Sequence, residues 1–448
     1  MFEKFEKLVN LALEQGFEKA EVFATASDSF SVQVYEGAIE DYSVEKRVGI
    51  ALRGLMNGQM GYASTEIDDE SEFADLVSRA KENALLLESA DEQFIYGGAE
   101  KLEWISAMDE SLGSVTAEQK IALAMEMEKA CKALDARVVR VAGCQVGTQR
   151  DSCVLVNSEG LRRTFESGIA FAVVEPVLAV DGGQIDGSAY RFTRRFDELN
   201  AQDLAKKAVD EAIRYIGAKP VASGSMPVVI EKSAMATLLA TFAGVFSADS
   251  AQKGLSLLGD KEGAKVAADV VTIWDDPSDG LGLAGMPFDG EGVPTCKKAI
   301  VENGTLNTLL YTLKTANKAG KATTGNASRP SYRSTVGTAP TNFYIQPGAQ
   351  TPDELYALTG DGVRIDQLMG MHAGANPISG DFSLAAKGMR IENGKLTTPV
   401  EQITISGNFY KLLAGVRAVG NDLKFGFPGA CAVGAPSVLV DGLSVAGK

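Results

Sequence analysis

The sequence predicts an α+β protein of two domains, a mixed N-terminal α/β part (residues 1–217) and a strand-dominated C-terminal domain (222–448) with a curved or barrel-like sheet. Three observations carry this. Helical and strand periodicities mix in the first half without a regular βαβ series. A Pro-, Gly- and Ser-rich stretch, AKPVASGSMPVVI (Ala218 to Ile230), then divides the chain. Beyond it, two asparagine-glycine pairs stand between strand-like runs.

Element by element, Phe2, Phe5, Leu8, Val9, Ala12 and Leu13 recur at helical spacing and predict a helix over 2–15. Alternating runs predict strands over 20–26, 29–35 and 42–53, followed by a helix over 71–88. Thr116 and Gln119 form a capping-box pattern at the head of a helix over 117–134. Strands are expected at 137–147 and 152–157, and a helix over 201–216 starts behind Asn200 with Asp203 in its first turn. Past the linker, SAMATLLATFAGVFSA reads as a buried helix within 231–246, because it falls short of the roughly 20 apolar residues a membrane span needs. TPDEL at Thr351 supplies a cap, a first-turn proline and an N3 glutamate. Asn303-Gly304 and Asn393-Gly394 each mark a hairpin.

Composition narrows the function classes. The 448 residues carry 59 acidic and 43 basic side chains, a net charge of −16, which opposes contact with a phosphate backbone. The strongest basic patches, Arg162 with Arg163 and then Arg191, Arg194 and Arg195, read as solvated faces, so no nucleic-acid partner is expected. The N-terminus lacks the pattern of a signal peptide and no stretch spans a membrane. Five dispersed cysteines (Cys131, Cys144, Cys153, Cys296, Cys431) form no C-x-x-C pair. A cytoplasmic location fits these features.

Few residues suggest chemistry. Gly280, Gly282 and Gly285 satisfy G-x-G-x-x-G, but MPFDGEGVPT follows and cannot begin a helix, so a glycine loop is expected. Asp275, Asp276 and Asp279 crowd a turn without the EF-hand pattern. His372, the single histidine, lies in GMHAGANPISGDFSLAAKG (Gly370 to Gly388) near Ser379 and Ser383, with no nucleophile elbow anywhere in the chain. A structural role is the simpler reading.

Several motifs together resemble the TldD/PmbA family, the modulators of DNA gyrase. They are FSADSAQKGLSLLGDKEG from Phe246, FDGEGVPT from Phe288, VENGTLNTLLYTLKTA from Val301, TGNASRPSY from Thr324, GANPISGDFSLAAKGMRIENGK from Gly374 and GNDLKF from Gly420. YEGAIEDYSVEKRVGIALR from Tyr35 resembles the family's opening. In that family TldD-type chains carry a zinc-binding H-E-x-x-x-H helix and PmbA/TldE-type chains do not. The corresponding positions here are Leu239, Ala240 and Gly244, none able to hold a metal. The resemblance implies the PmbA/TldE side: a chain with no cofactor of its own, paired with a zinc-bearing TldD-like partner in a cytoplasmic metallopeptidase that degrades unfolded peptides or processes peptide leaders. His372, Asn376, Ser379 and Asp381 then mark a loop for peptide or partner. Two alternatives stand beside it, a non-catalytic protein-binding modulator related to gyrase and a homodimeric metal-independent hydrolase. A homodimer of the isolated chain stays open under each.

Overall fold

The computed structural model describes residues 2–88, 91–98, 100–102, 107–278, 280 and 282–448. The chain forms two compact units. One comprises Met1–Ala212, Met286–Thr295 and Tyr311–Gly337; the other comprises Ile213–Gly285, Cys296–Leu310 and Thr338–Lys448. The polypeptide thus returns to the first unit twice after leaving it.

The first unit is built on a seven-stranded antiparallel sheet in the order Gln59–Thr65, Ala38–Met56, Lys19–Tyr35, Val138–Asn157, Arg162–Val180, Gly183–Asp186, with Ala189–Thr193 also on Arg162–Val180. Because side chains alternate across a strand, the long strands of the sheet serve cores on both faces. On one face Val22, Ala24, Ile50, Leu52, Val154 and Val156 meet helices Phe2–Glu14 and Phe73–Leu86. Further along that face Val32, Val34, Val146, Ala172 and Val174 meet helices Ala117–Leu134 and Ala201–Arg214. On the other face Phe23, Ala51, Leu155 and Phe165 bury Phe288, which belongs to one returning segment, and Tyr332 of the other packs against them.

The helices fall where periodicity and caps place them, and the Thr116–Gln119 capping box is formed in both directions. The strands are longer than their apolar runs. Residues 20–26 and 29–35 belong to one strand, Lys19–Tyr35, as do 137–147 and 152–157 in Val138–Asn157. Ser27, Asp28 and Ser29 pair with Asp151, Arg150 and Gln149 across the ladder, so the polar breaks in the two sequences lie opposite each other and leave the pairing intact.

In the second unit Gly224–Ile230, Gly362–Met369, Asp381–Glu392, Lys395–Asn408 and Val438–Ala446 close into a five-stranded barrel, sealed where Thr404, Ile405 and Ser406 pair with Ala446, Val445 and Ser444. The curved sheet expected of the second half is therefore a closed one. The two asparagine-glycine turns are present, with φ of 46° and 78° at Asn303-Gly304 and 51° and 74° at Asn393-Gly394, the left-handed pair a tight hairpin requires. Helix Pro352–Thr359 carries the complete Thr351/Glu354 capping box. No helix among the described residues is long and apolar enough to cross a membrane.

Candidate functional site

Helix Lys232–Phe242 begins where Glu231 accepts a hydrogen bond from the Ser233 N–H at 2.7 Å and ends in a 3₁₀ turn, Ala243–Phe246. Its inward arc, Ala234, Met235, Leu238, Leu239 and Phe242, packs against strands Gly362–Met369 and Ala432–Ala435. Phe242 stacks on Phe409 with ring centroids 4.6 Å apart. Leu239 is fully buried, whereas Thr237, Ala240 and Gly244 are exposed. This corrects the expectation that the whole helix is covered. A helix of this length turns one face outward, and the small side chains there provide little apolar area to drive burial.

The donor chemistry at Leu239, Ala240 and Gly244 does not fit a zinc ion: a buried isobutyl group, a methyl and a bare backbone offer no ligand. Among the described residues no group of three His, Cys, Asp or Glu side chains is placed to hold a metal. Asp275 is fully buried, receives the N–H and hydroxyl of Thr341 at 2.7 Å each, and pairs with Lys298 at 3.0 Å. Asp276 accepts from Ser278 and pairs with Lys297 at 2.8 Å. The acidic turn is thus neutralised by two lysines of the neighbouring strand region; Asp279 lies outside the described residues. The Gly280–Gly285 loop leads into no helix. Gly282 packs so closely on Asn342 that a Cβ would stand 2.2 Å from its side chain, and the Ala284 N–H donates to Asn342 Oδ1.

In the loop ahead of barrel strand Asp381–Glu392, Asn376, Ser379 and Asp381 come together. Asn376 Oδ1 accepts from the Ile378 and Ser379 N–H groups, and Asn408 Nδ2 donates to the Ser379 carbonyl (2.8 Å) and to Asp381 Oδ1 (2.9 Å). The Asn408 contact holds the Asp381 carboxyl below its ordinary range. His372 sits exposed on the one-turn helix Met371–Gly374. Three arginines of the basic patches are paired, Arg162 with Glu6, Arg191 with Glu198 and Arg195 with Asp197, and Arg163 donates to the Glu100 carbonyl.

The most unusual electrostatics lie in the first unit. Arg53 donates in a fork to fully buried Glu21 (Nε–Oε1 2.7 Å, Nη2–Oε2 3.2 Å), and its Nη1 lies 3.5 Å from Glu291. Arg329 donates to the same Glu21 oxygen at 3.0 Å, and its guanidinium lies over the Phe23 ring, 4.4 Å from the centroid. Its Nε and Nη2 are buried and meet no hydrogen-bond acceptor among the described residues. Asp289 accepts N–H bonds from Glu291, Val293 and Ala327 at 2.9 to 3.0 Å. Burial, then the Glu291 charge, pushes its carboxyl up to about 7 against those three donors. Burial depresses Arg329, while for Arg53 Glu21 and Glu291 outweigh burial and the shift is upward. The FDGEG and ASRP segments that supply Asp289, Glu291 and Arg329 had only a resemblance to mark them; no periodicity or spacing pairs them with Glu21 and Arg53.

Comparison with known proteins fits this architecture. Models of the PmbA/TldA metallopeptidase domain 1, central domain and C-terminal domain match residues 20–84, 110–215 and 223–447. A metalloprotease PmbA homolog of Haemophilus influenzae is 28% identical over 458 residues, covering 98% of this chain and 94% of that protein. A crystal structure from Thermotoga maritima described as a modulator of a DNA gyrase superposes with a TM-score of 0.90 at 32% identity, covering 99% of each chain. TldE from Thermococcus kodakarensis shares the fold, with a TM-score of 0.89 at 23% identity, covering 99% of this chain and all 100% of that one. The C-terminal match alone takes in half of the sequence, and the chain belongs to the PmbA/TldA metallopeptidase family.

Proposed function

We propose that this chain is the metal-free subunit of a TldD/TldE-type cytoplasmic metallopeptidase that degrades unfolded peptides or trims peptide leaders. The observation that carries the proposal is the donor-free set at Leu239, Ala240 and Gly244, in a chain whose relatives are named metalloproteases. Zinc and the base that activates water belong, in this reading, to a TldD-like partner. This chain contributes interface and part of a peptide channel. Strand-to-backbone pairing suits it to unfolded substrates because such pairing reads main chain rather than side chains. The loop holding His372, Asn376, Ser379 and Asp381 is its peptide- or partner-facing element.

The test is metal analysis and peptidase assay of the purified chain, alone and mixed with a TldD-like chain. Substoichiometric zinc and no cleavage alone, with cleavage of an unfolded protein restored by the partner, is the expected result. Near-stoichiometric zinc together with cleavage by the isolated chain would sink the reading.

A further inference from the structure

The returning segments cover one end of the first unit's sheet. Tyr332 stands over Gly49, where a Cβ would meet its ring at 2.0 Å, and Gly49 lies in a row that Thr25, Cys153 and Phe165 continue. Further along the same face the ladders align Ser43, Ser31, Gly147, Phe171 and Phe192. Here Ile169, Phe171, Val173, Tyr190 and Phe192 are only half-buried and form a contiguous ledge. Phe171 and Phe192 stack with centroids 5.8 Å apart, and Tyr190 tilts against Phe192 at 5.8 Å. A Cβ at Gly147 would stand 2.4 Å from Phe171, so glycine lets that ring lie across the neighbouring strand. Beside the ledge the floor is polar and uncharged, with Ser27, Ser29, Ser31, Gln33, Gln145 and Gln149, and Gln145 Nε2 donates to Ser31 Oγ at 2.7 Å. Four carboxylates, Asp41, Glu45, Asp151 and Glu175, share the face. Against them stand Arg47, which pairs with Glu45, and Arg194, which follows strand Ala189–Thr193. The face is acidic on balance. An antiparallel sheet ordinarily shows water a polar face, and a ledge of large apolar side chains on it marks an interaction surface.

We propose that this open face docks an extended, unstructured peptide carrying apolar and basic side chains, its apolar groups on the Phe171–Phe192 ledge and its cations against the carboxylates. The inference rests on the peptidase-subunit reading and deepens it by naming a surface and a kind of peptide. An unfolded chain brings N–H and C=O groups without partners, and serine hydroxyls and glutamine amides both donate and accept. Aromatic rings anchor apolar side chains without fixing their identity. A folded protein brings its backbone already paired, and a nucleic acid or an acidic peptide meets like charge.

Fluorescence anisotropy of a dye-labelled, unstructured peptide of lysine, phenylalanine and serine, titrated with the purified full chain, tests this. The expected result is saturable binding, weakened when glutamate replaces lysine in the peptide. Phe192→Ser should weaken it roughly tenfold. Asp41→Lys with Glu175→Lys, both at exposed positions, should weaken the lysine peptide and strengthen the glutamate one, and circular dichroism checks that each variant stays folded. Hydroxyl-radical footprinting should show Phe171, Tyr190 and Phe192 protected by the lysine peptide. Absence of saturable binding overturns the proposal, as does equal affinity for the two peptides or binding indifferent to the charge reversals. Protection of the ledge that rises with chain concentration in the absence of peptide would assign the face to a second copy and overturn it too. Binding by the isolated chain needs neither zinc nor a partner, so its failure strikes this face alone. Zinc and cleavage in the isolated chain would instead strike the subunit reading and leave the face standing.

Discussion

At the scale of single residues, Glu21 is the point on which the first unit turns. Its carboxylate is fully buried and shared by two guanidinium groups, so removing its charge takes the carboxylate from buried Arg329 and leaves Arg53 with Glu291 alone. Breaking a buried ion pair by deleting one partner typically costs about 3–5 kcal/mol, far more than the median surface pair. Glu21→Gln should therefore lower unfolding free energy in urea by roughly that amount, while Glu198→Gln, on an exposed pair with Arg191, should change it by less than about 1 kcal/mol. Asp289 adds a dependence on pH. Its ordinary value of 3.8 in the unfolded chain rises to about 7 in the folded one, so the folded state holds the proton more tightly. The contribution to stability is then fully present below pH 4 or so and is lost as pH climbs through about 7. Measured between pH 5 and pH 8, the wild type should lose more stability than Asp289→Asn; equal slopes would show that the three N–H bonds to its carboxylate, and not burial, set its ionisation.

At the scale of elements, helix Lys232–Phe242 separates what the sequence makes plain from what it hides. Its existence is legible, because a long apolar run follows the linker, but its start carries none of the usual capping residues, and only the structure gives that part to Glu231. Its outward face is not legible either, since Thr237, Ala240, Thr241 and Gly244 are small residues that a hydrophobicity pattern scores as compatible with burial. The two faces should respond differently to substitution. Leu239→Ala empties a fully buried site and should cost about 2–5 kcal/mol, whereas Ala240→Ser at the exposed neighbour should stay within about 0.5 kcal/mol. Equal thermal shifts for the two would mean that the outward face is covered. Turns behave in the opposite way from this helix. Asn393-Gly394 announces its hairpin because few residue pairs accept two successive left-handed conformations, and at Gly394 a Cβ would also approach the Ala357 Cα at 2.9 Å.

At the scale of the whole molecule, the alternation of helix and strand patterns reveals the α+β class and the asparagine-glycine turns reveal the strand-rich second half, but neither reveals that the units are discontinuous. A composition shift marks where a chain changes character, and Ala218–Ile230 does so; it cannot mark segments that leave the second unit and return, because Met286–Thr295 and Tyr311–Gly337 look locally like loops. Their role becomes visible only through long-range contacts: Phe288 fills the face formed by Phe23, Leu155 and Phe165, while Glu291 and Arg329 complete the Glu21–Arg53 charge cluster. A fragment cut at the linker, residues 1–217, would keep Glu21 and Arg53 but lose Glu291, Arg329 and Phe288. Its sheet would then present an uncovered apolar face, and a charge cluster assembled to be buried would meet water on one side. The fragment should retain helical and strand circular dichroism, bind a hydrophobic dye and unfold at lower temperature and with less cooperativity than the first unit within the full chain. Fusing Met286–Thr295 and Tyr311–Gly337 to it through flexible linkers should reduce dye binding and raise the transition. A bare fragment that melts as sharply and as high as the full chain would mean that the sheet and its helices are self-sufficient and that the returning segments only decorate them.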